Sequence, residues 1–380
     1  MKVLLVGNYR FDGSTSMRIW AAALHRELGA AGIDVRLIAP RPFFGACIPS
    51  ARGLGKWLGY IDRFILFPRR LRAAAARADL VHLCDHGSAV YVPFVERAPV
   101  LITCHDMIAV RAARGEIPEL RASRFGKILQ RWICSGLRRA TRVACVSRAT
   151  FDDVRAILQS DSNLSVVLNG LNYPFQPLAP DEAGRRLAQF GVLRSPFILH
   201  LGSNLPYKNR AGVLRVFAKA SAGTDLQLVL AGEPLDRGLV RLARALGIHH
   251  RIVAIVNPRV EVIEALYSRA LCLLFPSLYE GFGWPPIEAQ ACGCPVVASN
   301  IATFAETLEQ SALLASPGDE DGLAGAVRRL LADPGLCRLM RQRGLQNVRA
   351  RFLTARMIRD YLALYRDLAG AAATPPMESL

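Results

Sequence analysis

Among nine cysteines there is no CxxC pair, and the chain contains neither a GxGxxG fingerprint nor an apolar run of bilayer-spanning length. Each absence excludes something. Without clustered cysteines and histidines no metal-ligand spacing stands out, and a disulfide framework does not suit a chain of 380 residues. The cytosol is the expected compartment. Without the glycine fingerprint, dinucleotide binding lacks support. The N-terminal run Met1–Gly7 is too short for a secretory core and reads as a first strand. Lysine is scarce, and only Lys208 and Lys219 fall after residue 172.

What is present is a globular composition, 52% hydrophobic, long enough for two domains with cores of their own. The net charge of +17 is uneven. Residues 1–172 carry 25 Lys/Arg against 13 Asp/Glu, and the remainder 23 against 18. A first half this basic points to an anionic surface or substrate, although an arginine-rich composition alone would also produce it.

The most informative stretch is Ser277–Val297. Ala270–Pro276 is an apolar run suited to a buried parallel strand. A glycine-flanked loop follows. Pro285 and Pro286 suit a helix start, where proline's fixed φ fits and its missing N–H is not needed. Gly293 can end that helix in left-handed geometry, and Pro295–Ala298 reads as the next strand. Glu280 is expected in the loop and Glu288 in the first helical turn. Ligands bind open α/β sheets at the carboxyl ends of their strands. Free loop amides and a helix N-terminus favour an anion there, and carboxylates favour hydroxyls. A sugar joined to a phosphate meets both requirements.

The spacing Glu280-x7-Glu288 within PSLYEGFGWPPIEAQACGCPVVAS closely resembles the retaining glycosyltransferases of family 4. The resemblance implies an α/β protein of GT-B fold, with two Rossmann-like domains facing each other across a cleft. Its divisions would be an acceptor-binding domain over 1–172, a nucleotide-sugar-binding domain over 173–350, and a C-terminal helix with tail over 351–380 that returns to the first domain. Ile102–Asp106 is similar to the family's "HD" segment, which gives His105 a role toward sugar or acceptor. Asp85 and His86, also just past a strand, are weaker candidates, and Asn8–Ser16 is a candidate acceptor loop. Gly202–Asn209 is similar to the loop whose lysine pairs with the donor diphosphate. By that resemblance Ser203, Asn204, Lys208 and the amides of Gly281, Phe282 and Gly283 hold the diphosphate and sugar, Glu280 holds sugar hydroxyls, and Glu288 grips the ribose diol. Many relatives carry an arginine where this chain has Ser203, so neutralisation would rest on Lys208 with help from Arg210 or loop amides. The implied partners are a nucleotide-sugar co-substrate, UDP- or GDP-linked, and a glycan or lipid-linked acceptor, with no cofactor, metal or nucleic acid.

Five further readings bear on function. Residues 52–78 are basic and aromatic, with Trp57, Tyr60, Phe64 and Phe67 among Lys56, Arg63, Arg69, Arg70 and Arg72. Such a helix could lie on an anionic membrane face. The simpler expectation is a surface helix with its rings packed inward, interrupted at Pro68. Asp319-Glu320-Asp321 spells DxD, but acids are favoured at a helix N-terminus by capping and by the dipole, and that reading is preferred to a metal site. Glu280 and Glu288 as a glycosidase pair would have to face each other across a sugar, whereas Lys208 suits phosphate better. A nucleic-acid binder finds support only in charge, with no RNP, KH or zinc pattern. A degenerate family member that binds nucleotide or an anionic polymer without catalysis is the non-enzymatic alternative.

Overall fold

The computed structural model describes residues 1–13, 15–48, 50, 53–191 and 196–373. Ser14 of the first loop, Arg52 at the start of the basic stretch, residues 192–195 and all of the expected tail beyond 373 lie outside the described residues. The chain divides into two compact units, 1–172 together with the C-terminal helix from Thr354, and Tyr173–Leu353.

The first unit carries strands β1 (Lys2–Val6), β2 (Asp34–Ile38), β3 (Leu80–Leu83), β4 (Val100–Cys104), β5 (Arg142–Cys145) and β6 (Leu164–Val166). All pairings are parallel, in the order β2-β1-β3-β4-β5-β6. Parallel strands buried on both faces need continuous apolar sequence, and every residue of β3 and β4 is buried. The flanking helices are α1 (Thr15–Ala30), α2 (Gly53–Ile61), α3 (Phe67–Ala75), α4 (Ile108–Arg114), α5 (Arg124–Arg139) and α6 (Arg148–Leu158). Helix α6 begins from Ser147, whose hydroxyl accepts the Thr150 N–H at 3.0 Å. Helix α1 buries Ala21, Ala23, Leu24 and Leu28. Ile19 is half exposed, while Trp20 is buried and donates its indole N–H to Asn169 Oδ1 at 3.0 Å. A large ring with a polar tip outranks an isoleucine for the interior when a partner is in reach.

The second unit carries β7 (Phe197–Gly202), β8 (Gln227–Gly232), β9 (Ile252–Val256), β10 (Cys272–Phe275), β11 (Val296–Ser299) and β12 (Leu313–Ala315), again all parallel, in the order β12-β11-β10-β7-β8-β9. Its helices are α7 (Pro180–Leu187), α8 (Arg210–Ala220), α9 (Arg237–Ala245), α10 (Val260–Arg269), α11 (Trp284–Ala291), α12 (Ala302–Thr307), α13 (Glu320–Ala332) and α14 (Pro334–Arg351). Asp319 caps α13 through Gly322 N–H at 2.8 Å. Glu320 pairs with Arg215 and Lys219, and Asp321 with Lys219, so the DxD triplet is occupied in capping and ion pairs.

The final helix is α15 (Thr354–Ala373). The sequence reading began it at Arg351, but Arg351 ends α14 and pairs with Glu309 of the second unit at 2.6 Å. Helix α15 packs on the first unit through a buried polar chain. His82 Nδ1 lies 2.7 Å from Tyr365 OH, His82 Nε2 2.8 Å from Thr103 Oγ1, and Thr103 Oγ1 2.8 Å from Tyr361 OH.

Candidate active site

Both sheets have a switch point, where consecutive connections leave adjacent strands in opposite directions and the loops part to form a crevice. In the second unit it falls between β7 and β10, because β7 leads on to β8 while β10 leads to β11 on the other side. The loop after β7 supplies Ser203, Asn204 and Lys208, and the loop after β10 supplies Glu280–Gly283. All seven of these residues were expected from motifs some 70 positions apart, and the fold brings the two loops together. Leu278 N–H donates to Tyr207 O at 2.8 Å, Asn209 Nδ2 to Pro276 O at 3.2 Å, and Lys208 Nζ lies 2.6 Å from Glu280 Oε1. The ammonium also sits 5.5 Å from the Phe275 ring centroid and 5.3 Å from that of Tyr207. The pair is largely buried, with side chains 18% and 10% exposed.

Local chemistry builds each part. Gly283 has φ +86°, and a Cβ there would meet Phe304 Cε1 at 2.4 Å. Only glycine turns this corner into α11. Gly281, Phe282 and Gly283 are all buried, and the Phe282 ring packs against Trp284 and Phe352. Thr303 Oγ1 donates to Glu280 O at 2.6 Å and pins the loop from α12. Asn204 is held at three points: its N–H donates to Glu233 Oε2 and its Nδ2 to Pro234 O, both at 2.8 Å, and its Oδ1 accepts from Arg210. Ser203 is half buried at the start of the same loop.

Glu288 is the fifth residue of α11, so it lies in the second turn and not in the first. It is 8% exposed and accepts the Tyr267 hydroxyl at 3.1 Å. Burial pushes its carboxyl up to about 7, with the Tyr267 hydrogen bond acting in the opposite sense. The two glutamates therefore differ in surroundings. Glu280 is held by an ammonium, and Glu288 by a neutral phenol in a dry setting. With a lysine bound to one member and a phenol to the other, neither carboxyl is left to face its partner across a glycosidic bond.

Two supporting residues were not anticipated in their actual roles. His200, wholly buried in β7, stacks on Phe275 and places Nδ1 3.0 Å from Leu274 O. A carbonyl only accepts, so Nδ1 carries the proton. Burial, with Arg210 and Lys208 beside it, pushes its pKa down to about 3 despite the Leu274 bond. It is a neutral strut behind the loop, and nothing in an apolar strand sequence signals that. Arg210, expected as a helper of Lys208, is 4% exposed and donates to Asn204 Oδ1 and, at 2.9 Å, to Glu233 O. Burial lowers its pKa, Glu233 opposing.

The first unit repeats the arrangement. Its switch point lies between β1 and β3. There Asn8 Nδ2 donates to Asp85 Oδ2 at 2.6 Å, and Gly87 N–H to Asp85 Oδ1 at 2.7 Å. Burial alone would raise the Asp85 pKa, but His86, His105 and these donors hold it below its ordinary value. His105, just past β4, is 5% exposed, stands edge-on to Trp20 at 4.8 Å, and donates Nε2–H to Cys84 O at 3.0 Å. Burial lowers its pKa, with Asp85 opposing, so the ring is neutral and Nδ1 is its acceptor.

Comparison with known proteins agrees with this geometry. Residues 18–173 match the family described as Glycosyltransferase Family 4, and residues 188–347 match Glycosyl transferases group 1. The chain is 26% identical to O-antigen chain mannosyltransferase B of Escherichia coli, over 74% of this chain and 73% of that one. It is 28% identical to D-inositol 3-phosphate glycosyltransferase of Salinispora tropica, over 78% and 66% respectively. Among solved structures, sucrose-phosphate synthase from Thermosynechococcus elongatus superimposes with a TM-score of 0.80 at 21% identity, covering 98% of this chain and all of that one. Anabaena HepE in complex with UDP and glucose superimposes with a TM-score of 0.75 at 18% identity, covering 96% and 99%. The chain belongs to glycosyltransferase family 4 and is a glycosyltransferase of GT-B fold.

Proposed function

We propose that this enzyme transfers a sugar from a nucleotide-sugar, UDP- or GDP-linked, to an acceptor hydroxyl with retention at the anomeric carbon. The observation that carries the donor assignment is the Lys208–Glu280 pair at the switch point of the second sheet, 2.6 Å apart on loops that leave β7 and β10 in opposite directions. A cation and a carboxylate side by side suit a phosphate joined to a hydroxyl-rich ring. In this reading Lys208 turns toward the diphosphate while Glu280 keeps the sugar hydroxyls. The amides of Gly281, Phe282 and Gly283 add donors, Ser203 and Asn204 line the diphosphate loop, and Arg210 holds Asn204 in place. Glu288 accepts from the ribose diol.

The acceptor is assigned to the first unit, where neutral His105 orients sugar or acceptor beside Asp85. Catalysis then needs no carboxylate nucleophile. The leaving diphosphate takes the acceptor's proton as the glycosidic bond forms, and the protein contributes position and charge stabilisation. The Escherichia coli relative acts on O-antigen chains by its name, and the HepE structure contains UDP and glucose. The first supports assembly of a surface polysaccharide or glycolipid as the setting, and the second a nucleotide-sugar donor.

Thermal shift against UDP, GDP, ADP and their sugar conjugates tests this. The expected outcome is stabilisation by one nucleoside diphosphate, lost in Glu288→Ala and Lys208→Ala. A folded wild-type protein that none of them stabilises would overturn the donor site.

A further inference from the structure

The basic first half has a structural counterpart in a ring-bearing surface built from α2 and α5. In sequence these helices are some 70 residues apart. In the fold Trp57 lies 5.1 Å from Phe125, Tyr60 5.2 Å from Phe125 and 5.2 Å from Phe64, and Phe64 6.4 Å from Trp132, measured between ring centroids. The result is one unbroken chain of aromatics across two elements. Its inner members, Tyr60 and Phe64, are half buried, but its outer ones are not. Trp57 is 54% exposed and Trp132 59%, with Leu54 at 64% and Ile128 at 54% beside them in sequence. On α5, Phe125, Ile128 and Trp132 follow i, i+3, i+7 spacing and so form one stripe. The opposite side of that helix buries Ile133, Cys134 and Leu137 in the core.

The charge around this stripe has one sign. Residues 53–75 and 124–139 together hold ten Lys/Arg and a single acid, Asp62. Asp62 is 1% exposed and accepts from Tyr9 OH at 2.8 Å and from the N–H groups of Phe43, Phe44 and Gly45, so it does not offset the surface charge. Lys56 and Arg63 stack on rings of the chain, at 5.7 Å from Tyr60 and 5.3 Å from Phe64. Arg124, Lys127 and Arg131 alternate with the α5 stripe and are exposed.

We propose that this face docks on an anionic lipid bilayer, with Trp57, Phe125, Ile128 and Trp132 entering the headgroup boundary and the arginines and lysines meeting lipid phosphate. Tryptophan with one polar edge is suited to that boundary. Charge selects the occupant. A second copy of the chain would set Lys56, Arg63, Arg124, Lys127 and Arg131 against their own copies, whereas an anionic membrane complements them. No described helix is long and apolar enough to cross a membrane, so the contact is peripheral. The proposal does not depend on the nucleotide-sugar reading, because lipid binding requires no nucleotide.

Co-sedimentation with vesicles of phosphatidylcholine, with and without phosphatidylglycerol, tests it on the full chain. The wild type should pellet with phosphatidylglycerol vesicles and release as salt rises. Arg124→Ala and Arg131→Ala should each weaken binding about fivefold. Trp57→Ala with Trp132→Ala should weaken it about tenfold or more, with the thermal midpoint and any nucleotide-induced shift unchanged. Three outcomes would each overturn the proposal: a folded wild type that stays in the supernatant at low salt, a double tryptophan variant that pellets like wild type, or a face that instead forms a dimer by sedimentation velocity which the double variant dissolves.

Discussion

Glu288 has a pKa close to neutral pH, and its energetics are set by where its carboxyl sits. Its pKa, about 7 when folded against 4.5 ordinarily, means the native state binds the proton more tightly than the unfolded chain does. Stability from this group is therefore full below about pH 4.5 and declines as pH rises toward 7, by about 3 kcal/mol in all. Glu288→Gln should remove that slope, and urea denaturation at several pH values would reveal it. Parallel curves for the two proteins would refute the assigned pKa. Since a diol donates best to the ionised form, a nucleotide-sugar binding near pH 7 should also expel a proton in the wild type and not in Glu288→Gln. Calorimetry in buffers of different ionisation enthalpy reads that directly.

Lys208 presents the complementary case. Lys208→Met leaves Glu280 buried and unpaired, which should cost about 2–3 kcal/mol. Adding Glu280→Gln should restore most of the stability while activity stays about a hundredfold or more below wild type. Recovery of activity in the double variant would show that the pair serves only the fold.

At the scale of elements, the loop from β10 into α11 depends on one backbone corner. Gly283→Ala meets both a positive φ and the Phe304 ring, and should destabilise by about 2–4 kcal/mol. Phe304→Ala should rescue it only in part, because it relieves the clash and not the φ. Full rescue in chemical denaturation would put the whole penalty on the ring. The basic segment shows how elements escape sequence reading. Pro68 was expected to interrupt one helix. The interruption is a π-helical turn over Asp62–Leu66, with Pro68 accommodated in the first turn of α3. Trp57, expected to pack inward, is half exposed instead, because the interior positions of α2 go to Gly55 and Gly59. Gly59 lies against the Tyr9 ring, where a Cβ would approach Cε1 to 3.0 Å.

For the whole molecule, the chain leaves its first unit and returns to it. Helix α15 buries Met357, Ile358, Tyr361, Tyr365 and Leu368 in that unit. His82, neutral because burial pushes its pKa down to about 3, depends on two hydroxyls for its ring nitrogens. Tyr365→Phe should leave one nitrogen unsatisfied and cost about 1–3 kcal/mol. Ending the chain after Leu353 should expose that apolar surface and give an aggregating protein, which light scattering would report. A monodisperse truncated form would show that the first unit stands without its returning helix.

The sequence alone determined a good deal. Apolar runs between glycine- and proline-marked loops specify buried parallel strands, since such strands need no alternation, and so the α/β class and the loops at strand ends were legible. Lys208, Glu280 and Glu288 were legible because their segments resemble motifs of the family, in which a cation and carboxylates suit phosphate and hydroxyls. Tertiary structure decided what depends on contacts between distant segments. Strand order creates the switch point and brings Lys208 to Glu280. Burial raises the Glu288 pKa to about 7. Packing exposes one edge of α5, which had attracted no attention in sequence, and joins it to α2 as a single surface. Propensity and pattern act within a few residues along the chain, whereas burial, pKa and surface shape are sums over neighbours that only the folded topology supplies.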